Sequence, residues 1–198
     1  MSPDTRQPFN DSVYVKGGTA LHTKAAVITC LLLFGLAGTT ATAAQRPRIS
    51  PHERVSAVVE SAAIAIDYGR PSMRGRAIMG RLVPYGDVWC PGADEATQLT
   101  TSKALRIGNL SLKPGSYTLW MLPAANDWTL VVSSAVDVFH TQYSSRYDLG
   151  RVAMARARID EPVEQLTFSI EGNAPGAGGT IVMTWETTRV SVPFSVVQ

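Results

Sequence analysis

The sequence predicts an all-β fold, an antiparallel β-sandwich of about ten short strands, with a partly closed β-barrel as the alternative. Three observations carry that expectation. Apolar and polar residues alternate with period two in several short runs. Glycine, proline and asparagine punctuate the intervals between those runs, and no segment beyond the first 44 residues sustains the 3.6-residue period of an amphipathic helix.

Strands are expected near 55–60, 62–68 and 96–101. Gly108-Asn109 separates Ala104–Ile107 from Leu110–Leu112 as a two-residue loop that accepts positive φ, the chemistry of a tight hairpin. Pro114-Gly115 suits the centre of a type II turn, so 104–107, 110–113 and 116–122 read as a three-stranded meander. In the last of these Tyr117, Leu119 and Met121 oppose Thr118 and Trp120. Trp128–Val132 is apolar on both faces, as an interior strand is. A strand near 152–159 precedes Leu166–Glu171, where Leu, Phe and Ile alternate with Thr, Ser and Glu. Gly172–Gly179 connects this to strands near 180–188, with Ile181, Met183 and Trp185 on one face, and near 191–197.

The first 44 residues read differently. Lys24 precedes Ala25–Ala37, a run without charge that is too short to span a bilayer, and Ala41-Thr42-Ala43 supplies a small-x-small exit. A basic flank, an apolar core of roughly 7–15 residues and such an exit form a secretory signal. Cleavage after Ala43 or Ala44 is expected, giving residues 1–44 as a signal peptide with an N-terminal extension and 45–198 as one β-sandwich domain; an uncleaved anchor is the alternative. The expected location is periplasmic or secreted.

Removing Arg6, Lys16, Lys24, Asp4 and Asp11 leaves 15 basic and 14 acidic residues. So small a net charge gives no long-range field for collecting nucleic acid or anionic membrane, and no transmembrane helix is expected in the mature chain. Cys30 leaves with the signal, so Cys90 stands alone and no internal disulfide forms. Burial is the commonest fate of such a thiol.

Two long segments, 69–95 and 133–150, interrupt the strand rhythm, and long connections in compact domains often carry function. The first holds Asp67-Tyr68-Gly69-Arg70-Pro71-Ser72-Met73-Arg74-Gly75-Arg76, then Leu82-Val83-Pro84-Tyr85-Gly86, then Trp89 with Gly92-Ala93-Asp94-Glu95-Ala96-Thr97. Together with Ser50-Pro51-His52-Glu53 and Pro114–Leu119, these motifs resemble the bacterial domain of unknown function 2911 family from about Ser50 onward. The resemblance implies a secreted or envelope-associated β-rich domain and assigns neither activity nor catalytic residues. Members tend to carry Trp-Arg where this chain has Trp89-Cys90, and Asn where it has Asp94, which shifts the local charge toward negative.

Arg70, Arg74 and Arg76 place three guanidinium forks within a glycine-bearing loop. Such forks bind carboxylate or phosphate in bidentate fashion, so Arg70, Ser72, Arg74, Arg76, Trp89, Asp94, Glu95 and His52 are the candidate ligand-binding residues, for a small anionic or carbohydrate ligand. The competing reading has the arginines bracing the loop against Asp87, Asp94 and Glu95. Asp94 and Glu95 are adjacent, so on a strand only one of them faces a given pocket. His52 and His140 with Glu95 or Asp148 would make a two-His, one-carboxylate set, but no metal-binding spacing supports it, and no metal or cofactor is expected. Ser72 lacks a nucleophile-elbow motif, and its combination with His52 and Asp94 is selected by no spacing. Trp120, opposite an apolar face, is the aromatic residue most worth locating.

The sequence thus points to an exported envelope domain that binds through its Arg-rich loop. The alternatives are a hydrolase or isomerase using His52, Glu95 and Asp148, and a structural or assembly module whose sheet edge takes a partner strand. Whether loops 69–95 and 133–150 meet over one end of the sandwich or lie at opposite ends is the discriminating geometry.

Overall fold

In a computed structural model of the chain, which describes residues 49–197, nine antiparallel strands and one short 3-10 turn account for the regular structure. The expected export signal and its cleavage site lie outside the described residues. The strands are β1 (His52–Val59), β2 (Ala62–Gly69), β3 (Gln98–Thr101), β4 (Leu105–Ile107), β5 (Leu110–Leu112), β6 (Gly115–Leu122), β7 (Trp128–Ser133), β8 (Asp148–Gly172) and β9 (Gly179–Val196). They form one hydrogen-bonded sheet in the order β1-β2-β3-β6-β7-β8-β9-β4-β5, which does not close into a barrel.

The sheet folds back on itself through β8. Asp148–Met154 pair with β7, whereas from Ala155 onward β8 pairs with β9, and its register breaks between Arg158 and Val163 and again before Thr167. The two halves then face each other across the core: the Tyr68 ring of β2 meets the Phe168 ring of β8 edge-on, centroids 5.0 Å apart. Ile64 and Ile66, Leu119 and Met121, Leu130 and Val132, Leu166, Met183 and Trp185 fill the space between. Fully burying each such side chain contributes about 1.5–3 kcal/mol. With no disulfide among the described residues, this packing and the ladders hold the fold.

The alternation expected in the sequence is present. Leu166 and Phe168 are buried, as are Ile181, Met183 and Trp185, and β7 is interior, flanked by β6 and β8. Two expectations need correction. The runs at 152–159 and 166–171 belong to one long bent strand, because the Pro162 region stays extended while its pairing lapses; the runs at 180–188 and 191–197 are likewise continuous, with Glu186 at φ 55° absorbing the irregularity.

The meander is the second correction. β4 and β5 form the expected hairpin, with Gly108 at φ 56° as its sole positive-φ turn residue, the pattern of a type II′ turn. β6, however, lies between β3 and β7. Leu119, Trp120 and Met121 bury both of its faces, which a terminal three-residue strand could not do, and Gly115 at φ 151° carries the chain across.

Candidate functional site

The loop that follows β2 first runs beside β8. Ser72 bridges Gln165, the Met73 N–H donates to the Glu164 carbonyl at 2.8 Å, and the Leu166 N–H donates to the Pro71 carbonyl at 3.0 Å. Ile78 and Val83 then insert into the core, both fully buried. Their turn is held by Glu186, whose carboxylate accepts the Ile78 and Met79 N–H groups at 3.4 and 3.2 Å. Further on, Trp89 exchanges backbone hydrogen bonds with Met121 and stacks on Trp185 at 6.2 Å and 14°. Gly92-Ala93 crosses directly over Gly69, so close that a side chain at Gly69 would meet the Ala93 backbone.

The second long loop arrives at the same place. The Ala96 N–H donates to the Val138 carbonyl at 3.0 Å, Glu95 bridges Phe139, and the His140 N–H donates to the Asp94 carbonyl at 3.1 Å. His140 Nδ1 lies 2.6 Å from that carbonyl oxygen. A carbonyl oxygen only accepts, so Nδ1 is the donor of this bond. Beneath the crossing, Cys90, Ala96, Trp120 and Val131 form a second apolar cluster on the outer face of β6 and β7, joined by Val88, Val138 and Tyr143. Loops 69–95 and 133–150 therefore converge, and Trp120 is the floor on which they meet.

The candidate residues divide around this crossing. His52 pairs across the ladder with Gly69, which brings its Nδ1 to 3.9 Å from Glu95 Oε2; both side chains are about half exposed. Asp94, at φ 65°, turns its carbonyl to His140. Arg70 is engaged at every nitrogen of its fork: with Glu53 at 2.8 Å, the Leu166 carbonyl at 3.1 Å and Thr167 Oγ1 at 2.9 Å. It braces β1 and β2 against β8, and so does Ser72, whose hydroxyl accepts from Gln165. Arg76 donates to the Ser72 and Met73 carbonyls within its own loop. Arg74 is exposed at φ 49°, its backbone N–H on Glu164 and one guanidinium nitrogen 3.3 Å from the Ile49 carbonyl. The three arginines hold Glu53, Thr167 and main-chain carbonyls, not the Asp87, Asp94 and Glu95 that the competing reading gave them.

Asp148 belongs to a different constellation. Its Oδ2 accepts from the Tyr143 hydroxyl at 2.8 Å and from Arg151 at 3.0 Å, while Oδ1 is buried with no hydrogen-bond partner. Burial, then the bond to Asp148, raises the Tyr143 hydroxyl pKa, and the Asp148 bond raises that of Arg151. Tyr143 also sets its ring edge-on to Trp120 at 5.2 Å, so this trio pins the second loop. Among the described residues no group of three His, Cys, Asp or Glu side chains could hold a metal. Burial pushes the Cys90 thiol up to about 11, against a smaller opposing effect of Thr97.

Phe139, His140 and Tyr143 were not among the ligand residues expected from sequence. Phe139 is 47 % exposed, with its ring 4.3 Å from that of His140. His140 entered the sequence reading only as half of a two-His, one-carboxylate set; nothing but its place in the second long loop could have flagged Phe139, since the contacts of Phe139 and His140 with Glu95 and Asp94 span more than forty residues of chain.

Among the described residues no helix is long and apolar enough to cross a membrane. No curated protein and no solved structure matches the chain. The sequence model of the family described as "Protein of unknown function (DUF2911)" matches residues 50–194, the whole span from the approach to β1 through most of β9. That span includes the Gly69–Ala93 crossing and the plug of Ile78 and Val83, and the chain belongs to the DUF2911 family.

Proposed function

We propose that the chain is an exported envelope domain that binds an anionic small molecule or a glycan on the surface where its two long loops cross. The observation that carries this reading is the convergence of Asp94 and Glu95 with Phe139 and His140, with His52 beside them. An exposed aromatic ring next to a carboxylate and two imidazoles offers stacking together with acceptors and donors for hydroxyl groups. Arg74 and Arg76 are exposed on the turn of the first loop that runs beside β8, and of the two Arg74, with a single long guanidinium contact, has the freer fork for an acidic group. Arg70 and Trp89 serve as scaffold beneath that surface rather than as contacts.

The test is calorimetric titration of the exported protein with envelope glycans and anionic metabolites, comparing wild type with Phe139→Ala, Arg74→Ala and Arg76→Ala. Loss of affinity of about tenfold or more at unchanged melting temperature supports the reading. If the arginine variants melt lower and all three bind as wild type does, the surface is structural and the proposal fails.

A further inference from the structure

The registers of β1, β2 and β3 set their outward side chains in rows. Arg54, Asp67 and Gln98 lie side by side, and Ser56, Ala65 and Thr100 form the next row. Val58 and Ala63 follow, with Ser102 beyond them, its hydroxyl accepting the Ala63 N–H at 2.9 Å. Below the Arg54 row the middle strand therefore offers only methyl groups between the larger side chains of its neighbours. A trough of about 450 Å³ results, floored by Ala63 and Ala65 and walled by Ser56 and Val58 on one side and Thr100 and Ser102 on the other. That volume falls within the range of small-molecule sites.

The shape and the chemistry of the trough each restrict its ligand. β1 and β3 stand two strand spacings apart, about 9.5 Å, so the gap left between their side chains is one aliphatic chain wide. None of the lining residues is aromatic, so nothing there stacks on a ring. Along the body the hydroxyls are engaged within the chain: Thr100 with Ser116 at 3.1 Å, Thr101 with the Lys103 carbonyl at 2.7 Å, and Ser102 with Ala63. Among the described residues, the lining side-chain groups without a partner are Nε and Nη2 of Arg54 and the hydroxyl of Ser56. These stand two residues apart on one face of β1, at one end of the trough. Asp67 holds Nη1 alone, at 2.7 Å, which leaves open the guanidinium edge that grips a carboxylate through two parallel bonds.

We propose that this trough is a binding site for a linear aliphatic carboxylate, its head on Arg54 and Ser56 and its chain laid along Ala65 and Ala63 beside Val58. The apolar floor asks for a body without polar atoms, and the one unspent cationic fork asks for a single acidic head. None of the lining residues belongs to loops 69–95 or 133–150, so the site is separate from the loop crossing and stands or falls independently of it.

The experiment is calorimetric titration of protein purified from cells expressing the full sequence, with octanoate held below its micellar concentration and with octanol as the headless comparison. Wild type is expected to bind octanoate saturably and at least about tenfold more tightly than octanol. Arg54→Gln should bring octanoate down to the octanol affinity. Ala63→Leu, at an exposed position, fills the floor and should weaken octanoate about tenfold or more, whereas Phe139→Ala, at the loop crossing, should leave it unchanged. Arg54→Gln decides the matter if Ala63→Leu does not fold. A wild type without saturable binding, octanol bound as tightly as octanoate, an octanoate affinity that Arg54→Gln leaves as it was, or a loss in Phe139→Ala as large as in Ala63→Leu overturns the proposal.

Discussion

Gly69 and Ala93 are in backbone contact: a Cβ built on Gly69 would run into the Ala93 carbonyl oxygen. This contact carries the first long loop over the end of β2 and sets Glu95 beside His52. Gly69→Ala must therefore push the crossing away, and overpacking against rigid backbone costs at least about 1–3 kcal/mol. Gly172→Ala, with no atom within 4 Å of the added carbon, is the control. Denaturant melts should show a large loss for the first and a change within about 0.5 kcal/mol for the second.

Glu186 anchors the plug of Ile78 and Val83 through two backbone N–H groups. Glu186→Ala leaves those donors unpaired in a half-buried setting, with an expected cost of about 1–3 kcal/mol. Hydrogen exchange at Ile78 and Met79 should accelerate, and Glu186→Gln, which keeps an acceptor oxygen, should restore part of the protection.

Cys90 is predicted to be chemically silent in the folded protein. Its thiol is buried and held up to about 11 against an ordinary 9.0, so near pH 7 almost no thiolate forms. Thiol reagents should label it only on unfolding. The sign of the linkage follows: below about pH 9 folded and unfolded chains both keep the proton, and between 9 and 11 only the unfolded chain releases it. This group therefore lowers stability as pH rises through that window, and Cys90→Ala should flatten the fall in alkaline melts.

His52 and Glu95 face each other at 3.9 Å with their side chains 40 % and 50 % exposed. Exposed pairs of this kind contribute at most about 1 kcal/mol. In His52→Ala, loss of binding at an unchanged thermal midpoint is expected and reports on the surface, whereas loss of binding with a lowered midpoint reports on the fold.

The strands were legible because burial repeats along them. Leu166 and Phe168, or Met183 and Trp185, announce a face within a few residues of chain. The bend of β8 and the position of β6 between β3 and β7 were not, since they depend on which distant strand supplies a partner. At the candidate site the sequence offered Arg70 and Trp89 by residue type, yet Glu53, Thr167 and Trp185, far off in sequence, engage them. Likewise nothing local to Phe139 or His140 says that Asp94 and Glu95 will lie beneath them. What the sequence did mark correctly was the pair of long segments whose convergence forms the surface.

Ligand binding at that convergence is read by amide chemical-shift mapping. On titration with those glycans and anionic metabolites that bind by calorimetry, shifts are expected to concentrate at His52, Ala93–Ala96 and Val138–Gln142, with no comparable change along β4 and β5. Shifts that leave both loops untouched and gather elsewhere on the sheet would contradict it.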